Sequence, residues 1–541
     1  MRPLPFLFLA LSLSVPAGAA PPQDAARRKS ALKHEIDSLI RRLDGKEFGS
    51  VAEAAQWIVA LVRSPRRYSL EDGPLMRRPL RRILDGRRSD GLFGASSAAM
   101  TVLLENTRWV VQALQDLGAY PELLKETREA LAKAAPEGRF LSPWRPADLA
   151  KAASIEGGPS IPLLVAKVAA YEVLNRGSRS AKSKNALPFE PFQQKALNWL
   201  LSRSKDGVWY MPVPGRGEVP DPGTTALALA AIATKPAAKR ASGEVEILRK
   251  GWNFLLKNQR PDGSFSESLP NYVTCAAVLA LADCPFESVP PALAKARRFL
   301  LSIQNLEHRG YRVSDRDYGS IGYGGDRRGD LSNTQMALEA LRLTGLPKDD
   351  DAIAKALIFI RRCQNLPGEG AWKGTRRADD GKKVVVRPGE DGGAAYYPGN
   401  SPAGYDEVSD GTQIARSYGS MTYALLKCYV LSGLPKDDPR LQAALAWASK
   451  NWTLETNPGA SPALGEKARY QGLYYYYLTL ARALSLAEVD RIAGRDWRKE
   501  LRTVLKARQK DEGFWVNDKN GRWWEASPVL CTAYALLALA Q

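Results

Sequence analysis

The sequence predicts an all-α protein: a helical N-terminal region followed by a closed ring of about six outer/inner helix pairs. Three observations predict it. Apolar residues recur three and four positions apart along most of the chain, which is the helical period. From about residue 188 two kinds of helix alternate, one charged along a face and one small and apolar nearly all round. Amphipathic runs also end repeatedly in a glutamine-and-aromatic signature, spaced by roughly fifty residues, so one supersecondary unit is used many times.

Taken in order, Arg2 precedes the apolar run LPFLFLALSLSV, and Ala17-Gly18-Ala19 offers a small-x-small cleavage pattern. Residues 1–20 therefore read as a secretory signal peptide, and the chain is expected to be exported, periplasmic or secreted. Residues 21–187 read as helices joined by polar turns, for example SALKHEIDSLIRRLDG and SVAEAAQWIVALVRS. The polar stretch GSRSAKSKNA, Gly177 to Ala186, is the expected boundary.

In residues 188–541 the first helix of each pair is amphipathic: FQQKALNWLLSR, VEILRKGWNFLLKNQ, PALAKARRFLLSIQ, DDAIAKALIFIRRCQ, PRLQAALAWASKN and RDWRKELRTVLKARQ. The second is apolar nearly all round: GTTALALAAIAT, NYVTCAAVLALAD, SNTQMALEALRLTG, GSMTYALLKCYVLSG, QGLYYYYLTLARAL and PVLCTAYALLALAQ. A helix polar on one face lies outside, and one apolar all round must be buried. Strict alternation then gives an outer ring around an inner barrel. No convincing strand is expected, and the β-branched run Val384-Val385-Val386 is assigned to a loop.

Composition narrows the classes. Hydrophobic content of 45% supports a large core. No run of eighteen apolar residues offers a transmembrane span. The five cysteines lack short paired spacings and read as buried thiols, not a disulfide framework. The net charge of +19 is spread along helix faces, and a block such as Arg77, Arg78, Arg81 and Arg82 reads as a solvated basic face, with peripheral membrane contact the other use of such a block. No nucleic-acid module is present. The only histidines, His34 and His308, cannot assemble the three or four ligands zinc needs, so no metal or cofactor is expected.

The clearest repeat is KGWNFLLKNQRPDGSF, Lys250 to Phe265. Beside it stand KARRFLLSIQNLEHRGY, KALIFIRRCQNLPGEGAW and RKELRTVLKARQKDEGFW, with a partial copy KALNWLLSRSKDGVWY and a degenerate one near Trp447 to Gly459. This frame resembles the QW repeat of squalene–hopene and oxidosqualene cyclases and the related repeat of prenyltransferase β subunits. The resemblance covers about residues 188–541 and implies an α/α toroid. It also implies that Gln259, Gln304, Gln364, Gln509, Trp209, Trp372 and Trp515 lock outer-helix ends and do no chemistry. A glutamine amide at a helix end can satisfy orphan backbone groups, which agrees.

All outer-to-inner loops gather at one end of the barrel, its mouth. Two are long, ending near Gly329 and spanning residues 373–416, and long loops in a compact domain are usually functional. The resemblance implies a protonating Asp-x-Asp-Asp-Thr-Ala motif at an inner-helix start. Here the matching segment is Asp330-Leu331-Ser332-Asn333-Thr334-Gln335. Ser332 stands at the central acid, and a serine hydroxyl cannot protonate an alkene. Val408-Ser409-Asp410-Gly411-Thr412 is similar to a second family stretch, so Asp330 and Asp410 are the candidate acids. Asp410 reads first as a helix-capping or turn aspartate. Asp315 and Asp317 form an Asp-x-Asp pair that reads as a polar turn. Tyr272, Tyr418, Tyr423, Tyr474 and Tyr475 are candidate ligand-binding residues, some of which must face the wall instead, since successive helical positions step by about 100°.

Three functions follow. The first is a non-catalytic toroid binding a hydrophobic, isoprenoid-like molecule or a partner protein at its mouth. The second is a cyclase-like isomerase with a relocated acid. The third is a carbohydrate-active toroid using a carboxylate pair among Asp326, Asp330, Glu390, Asp391, Asp406, Glu407 and Asp410, which would need about 5–10 Å separation.

Overall fold

Inner helices begin where a short cap meets an apolar run, and outer helices where an acid or proline opens a charged one. In the computed structural model this produces eighteen α-helices among the described residues. Those residues are 22–541 except 67, 69, 71–72, 118–119, 136–142, 144–148, 151–158, 180–186, 214, 216, 287, 325–327 and 379–380. The expected signal peptide, most of the expected boundary and Asp326 therefore lie outside the described residues. None of the described helices is long and apolar enough to cross a membrane.

The chain divides into two compact units, Met1–Arg179 and Ser180–Gln541. The first holds α1 (Pro22–Leu43), α2 (Val51–Arg63), α3 (Pro74–Asp85), α4 (Met100–Leu117), α5 (Pro121–Ala134) and α6 (Ile161–Arg179). Helix α2 is its centre: Ala54, Ile58, Val59, Ala60 and Leu61 have no exposed surface, and α3, α4 and α6 pack around it. A buried Arg63–Asp116 ion pair ties α2 to α4.

The second unit is the ring. Its outer helices are α7 (Pro191–Ser202), α9 (Ser242–Lys257), α11 (Val289–Ser302), α13 (Asp351–Cys363), α15 (Pro439–Lys450) and α17 (Trp497–Arg508). Its inner helices are α8 (Pro222–Ala233), α10 (Pro270–Leu281), α12 (Leu331–Leu343), α14 (Gly419–Leu431), α16 (Leu473–Leu486) and α18 (Pro528–Leu539). Each inner helix packs on the next, and α18 packs back on α8, closing the circle. In α8 every residue from Thr224 to Ala233 is buried, the signature of a helix enclosed on all sides. The fold is the all-α toroid that the repeat predicts.

The repeat glutamines make the same two bonds each time. The amide of Gln259 donates to the carbonyls of Gly263 at 3.1 Å and Ala292 at 2.8 Å. Gln304 donates to Gly319 and Ala352, Gln364 to Gly392 and Arg440, and Gln509 to Gly513 and Phe192. The second carbonyl always belongs to the first turn of the next outer helix, where the glutamine reaches across. Gln509 bonds to α7, so the last repeat is stitched to the first. The glycine is needed: at Gly319, φ is +86° and an added Cβ would lie 2.0 Å from the Lys355 carbonyl oxygen.

A second bond fixes the register. The backbone N–H two residues after that glycine donates to an inner-helix threonine hydroxyl: Trp209 to Thr225, Phe265 to Thr274, Ile321 to Thr334, Ala394 to Thr422 and Trp515 to Thr532. The indoles of Trp209 and Trp515 also donate to Leu200 and Leu505 carbonyls, closing off their own outer helices. This register corrects two expectations. In the third copy the aromatic position is Ile321, not Tyr311, and in the fourth it is Ala394, not Trp372. An insertion separates glutamine from glycine in both, so the adjacent aromatic in sequence is not the one in the frame. Trp372 packs instead in a small cluster with Val386, Ala395, Ala415 and Tyr405.

The insertion is not an irregular loop. Residues 373–416 contain a four-stranded sheet of β3 (Gly374–Arg377), β4 (Lys383–Val386), β5 (Tyr405–Glu407) and β6 (Gln413–Ala415), ordered β3-β4-β6-β5. Val384-Val385-Val386 is thus a strand, contrary to expectation. Only Val386 is buried, so a half-exposed strand of four residues leaves little periodic signal. Two hairpins complete the strands among the described residues: β1 (Tyr210–Val213) with β2 (Gly217–Pro220), and β7 (Arg491–Ile492) with β8 (Arg495–Asp496).

Candidate functional site at the barrel mouth

Asp330 is the N-cap of α12. One oxygen accepts from the backbone N–H of Asn333 at 2.8 Å and the other from the Asn333 side-chain amide at 2.9 Å. Asn333 in turn accepts from Asn271 of α10 at 2.9 Å. Asp330 has no exposed surface. Burial pushes its carboxyl up to about 6, against the bonds from Asn333 and Tyr396 and the Arg328 charge, which lower it. Each oxygen accepts from Asn333, which is bonded to Asn271 of α10, so the carboxyl acts as a cap and helix–helix tie.

Ser332 is the group facing the barrel axis. Its hydroxyl hydrogen bonds with the phenol of Tyr272 at 2.7 Å and that of Tyr475 at 2.7 Å. Gln335, one turn down α12, donates to the Tyr475 oxygen at 2.9 Å. In a six-membered ring α16 stands opposite α10 and two places from α12. The chain Tyr272–Ser332–Tyr475 therefore crosses the lumen. Burial raises both phenols, Tyr475 to about 12, so they remain neutral hydroxyls. Tyr323 stacks on Tyr272 with centroids 6.1 Å apart, and Tyr534 of α18 lies 6.2 Å from Tyr475. The Tyr396 hydroxyl bonds that of Tyr323 at 3.1 Å.

Two turns below, a second bridge crosses the same space. Glu339 of α12 pairs with Lys427 of α14 at 2.7 Å and with Arg482 of α16. Burial alone would raise the Glu339 carboxyl, but the Arg482 and Lys427 charges outweigh it and bring it down to about 2. The Glu339 side chain keeps 19% exposure although it lies deep in the ring, so the lumen beside it admits water-sized molecules. Buried charge is tolerated only when paired, and here each partner comes from a different inner helix.

The candidates divide as follows. Tyr272 and Tyr475 meet at Ser332. Tyr418 caps α14 and is only partly buried, and its phenol is raised by burial and by the proximity of Tyr475, Asp330 and Tyr323, which places it in the same cluster. Tyr423 and Tyr474 belong to the wall, which corrects their assignment: Tyr423 packs on Tyr476 at 5.8 Å, and Tyr474 sits edge-on to Tyr477 at 5.7 Å. Tyr476 and Tyr477 donate outward to the Thr453 and Leu454 carbonyls. Of the four consecutive tyrosines, only Tyr475 reaches the lumen bridge.

Asp410 is not at the mouth cluster. It is exposed at the β5–β6 turn, and one oxygen accepts from both the N–H and the hydroxyl of Thr412, which hold its carboxyl below the usual range. An exposed, readily ionised carboxyl is a turn former and no acid for an alkene. Asp406 pairs with Arg416, while Asp391 accepts from Ser417 and Trp447. Asp317 pairs with Arg316, and Asp315 accepts from the Arg312 N–H, as polar turns do.

Sequence reading missed Tyr323, Tyr396 and Tyr534, and also the Glu339–Lys427–Arg482 triad. The triad had a signal: Lys427 and Arg482 are each the one charge of a mainly apolar inner helix, and Glu339 is the one acid of another. A charge there must find a partner across the barrel.

No protein-family model and no curated protein matches the sequence. Among solved structures, the apo type II terpene cyclase MstE from Scytonema is similar at 14% identity and a TM-score of 0.37, over 64% of this chain and 96% of that one. A protein from Actinoplanes is similar at 15% identity and a TM-score of 0.35, over 64% of this chain and 97% of that one. The ent-copalyl diphosphate synthase from Streptomyces platensis is similar at 14% identity and a TM-score of 0.27, over 85% of this chain and all of that one.

Proposed function

We propose that this chain is a non-cyclising α/α toroid that binds a hydrophobic, isoprenoid-like molecule at its barrel mouth. One observation carries the reading: a serine hydroxyl, bonded to two neutral phenols, occupies the position where a strong acid would have to stand. Protonating an alkene demands a group far more acidic than an alcohol. The nearby carboxyl, Asp330, is occupied by Asn333, and Asp410 is an exposed turn residue. Above the Tyr272–Ser332–Tyr475 bridge, the partly buried rings of Tyr272, Tyr323, Tyr396 and Tyr418 offer an aromatic rim suited to an apolar chain with a hydroxyl or similar head. The bridge limits how deep such a chain can go.

The test is native mass spectrometry of the full chain with geranylgeraniol. Retention of intact ligand, reduced about tenfold by Tyr272→Ala, a loss of roughly 1.4 kcal/mol, supports the reading. An apo spectrum at every ligand concentration refutes it.

A further inference from the structure

Two buried polar atoms in the lumen have no hydrogen-bond partner among the described residues: Nε of Arg482 and Oε1 of Gln335. Their neighbours place both in one space. Gln335 and Glu339 lie one turn apart on one face of α12, and Tyr475 and Arg482 lie two turns apart on one face of α16. The Gln335 amide nitrogen donates to the Tyr475 phenol at 2.9 Å, and a terminal nitrogen of Arg482 donates to Glu339. The orphan donor and the orphan acceptor therefore lie between the tyrosine bridge and the charged one. A buried polar atom left without a partner costs about 1–3 kcal/mol, so an ion or a water belongs there.

Charge decides between the two. Lys427 and Arg482 bring two positive charges to the triad and Glu339 brings one negative, so one positive charge is left over. Helices α8, α10 and α18 contain no charged residue. Arg342, the one other charge of the six inner helices, donates to the Leu346 carbonyl nearly a turn below Glu339. The thiols of Cys275 and Cys428, near enough to Glu339 and Lys427 to sense their charges, are pushed up by burial and stay neutral. The Lys427 side chain is only 3% exposed and that of Arg482 only 12%, so bulk salt screens the excess poorly. A buried charge in excess calls for a counter-ion, and the water-sized space beside Glu339 sets the size of that ion.

We propose that the space between the two bridges binds one small monovalent anion of halide size, with Arg482 Nε donating to it and the Lys427 ammonium beside it. Lys427 has two N–H donors beyond the one it gives to Glu339. A water in the same space donates one hydrogen to the anion and the other to Gln335 Oε1, which satisfies both orphans. The ion completes a cluster drawn from α12, α14 and α16, and it sits below the tyrosine rim, independent of what the rim binds.

The experiment is thermal melting of the full chain in sodium chloride, sodium bromide and sodium gluconate at one ionic strength, gluconate being too large for a water-sized space. Chloride and bromide are expected to raise the melting temperature saturably, by about 3 °C at a hundredfold excess over the dissociation constant, and gluconate is not. Glu339→Gln removes the competing negative charge and should bind chloride about tenfold more tightly, so that chloride offsets part of that variant's loss of stability. Arg482→Met should lose the chloride shift; if it does not fold, Lys427→Met, which also removes the excess charge, takes its place. Equal melting of the wild type in all three salts means that the space holds water only and overturns the proposal. A chloride shift that persists in Arg482→Met, or in Lys427→Met where that variant stands in for it, overturns it as well, because the ion then binds elsewhere on the chain. Geranylgeraniol retention is expected to be the same in chloride and in gluconate, which keeps this site apart from the tyrosine rim.

Discussion

The outer seam of the ring and its lumen are built by opposite rules. Along the seam one device is used four times: a glutamine amide spans two carbonyls, a glycine lets the next outer helix come close, and a threonine takes the following N–H. In the lumen nothing repeats. Ser332 meets two tyrosines from different helices, Glu339 meets two cations, and Glu525 caps a neighbour's helix by accepting from the Tyr475 N–H. The seam specifies a closed ring whatever the ring contains. Chemistry therefore depends on a handful of lumen positions, and among them Ser332 is bonded to two phenols.

The comparison breaks first at the seam. Gly319→Ala is expected to cost about 4 kcal/mol, because a Cβ at positive φ collides with backbone and no side chain can yield. Denaturant unfolding of the second unit measures it, and a cost below about 1 kcal/mol would mean the outer helices are not held in register there. In the lumen, Glu339→Gln should cost about 3 kcal/mol by leaving Lys427 and Arg482 without an anion, while Glu339→Gln combined with Lys427→Met and Arg482→Met recovers much of it. Without recovery, the triad is not one unit. Gln364→Leu should cost about 2–3 kcal/mol, since the Gly392 and Arg440 carbonyls and the Tyr429 hydroxyl, which donates to the glutamine oxygen at 2.7 Å, all lose their partner.

The pH dependence separates the carboxyls of the lumen and mouth from one another. Burial raises the Glu525 carboxyl to about 7 and that of Asp330 to about 6. Between the unfolded carboxylate range near 4 and these values, the folded state binds more protons than the unfolded one, so stability falls as pH rises from about 4 to about 7. Glu339, held at about 2, contributes in the opposite sense: its stabilisation is present above about 4 and is lost as pH falls toward 2. Glu525→Gln should flatten the slope between about pH 4 and 7 by roughly 2 kcal/mol in total, read from melts across that range. An unchanged slope would place the titration elsewhere.

How much of this was legible follows the same division. Helix identity was readable because outer and inner helices differ in apolar coverage, and Gln259, Gln304, Gln364 and Gln509 act as the repeat suggested. Trp372 misled because a folded insertion intervenes before the frame resumes at Gly392, and four-residue strands such as Lys383–Val386 are too short for a period to declare itself. At the site, the Asp330–Ser332–Asn333 register was recoverable from the repeat. Which tyrosines share the lumen was not, because four consecutive tyrosines point in four directions and only cross-ring partners select Tyr475. Asp410 was a candidate acid whose favoured reading was a turn aspartate, and it closes the β5–β6 turn through Thr412.

The most direct measurement of the central claim is product analysis after incubating the full chain with squalene and with geranylgeraniol, alongside Asp330→Asn and Asp410→Asn. Acyclic isoprenoid is expected to be recovered from all three proteins. A cyclic product formed by the wild type and lost in either variant would contradict it.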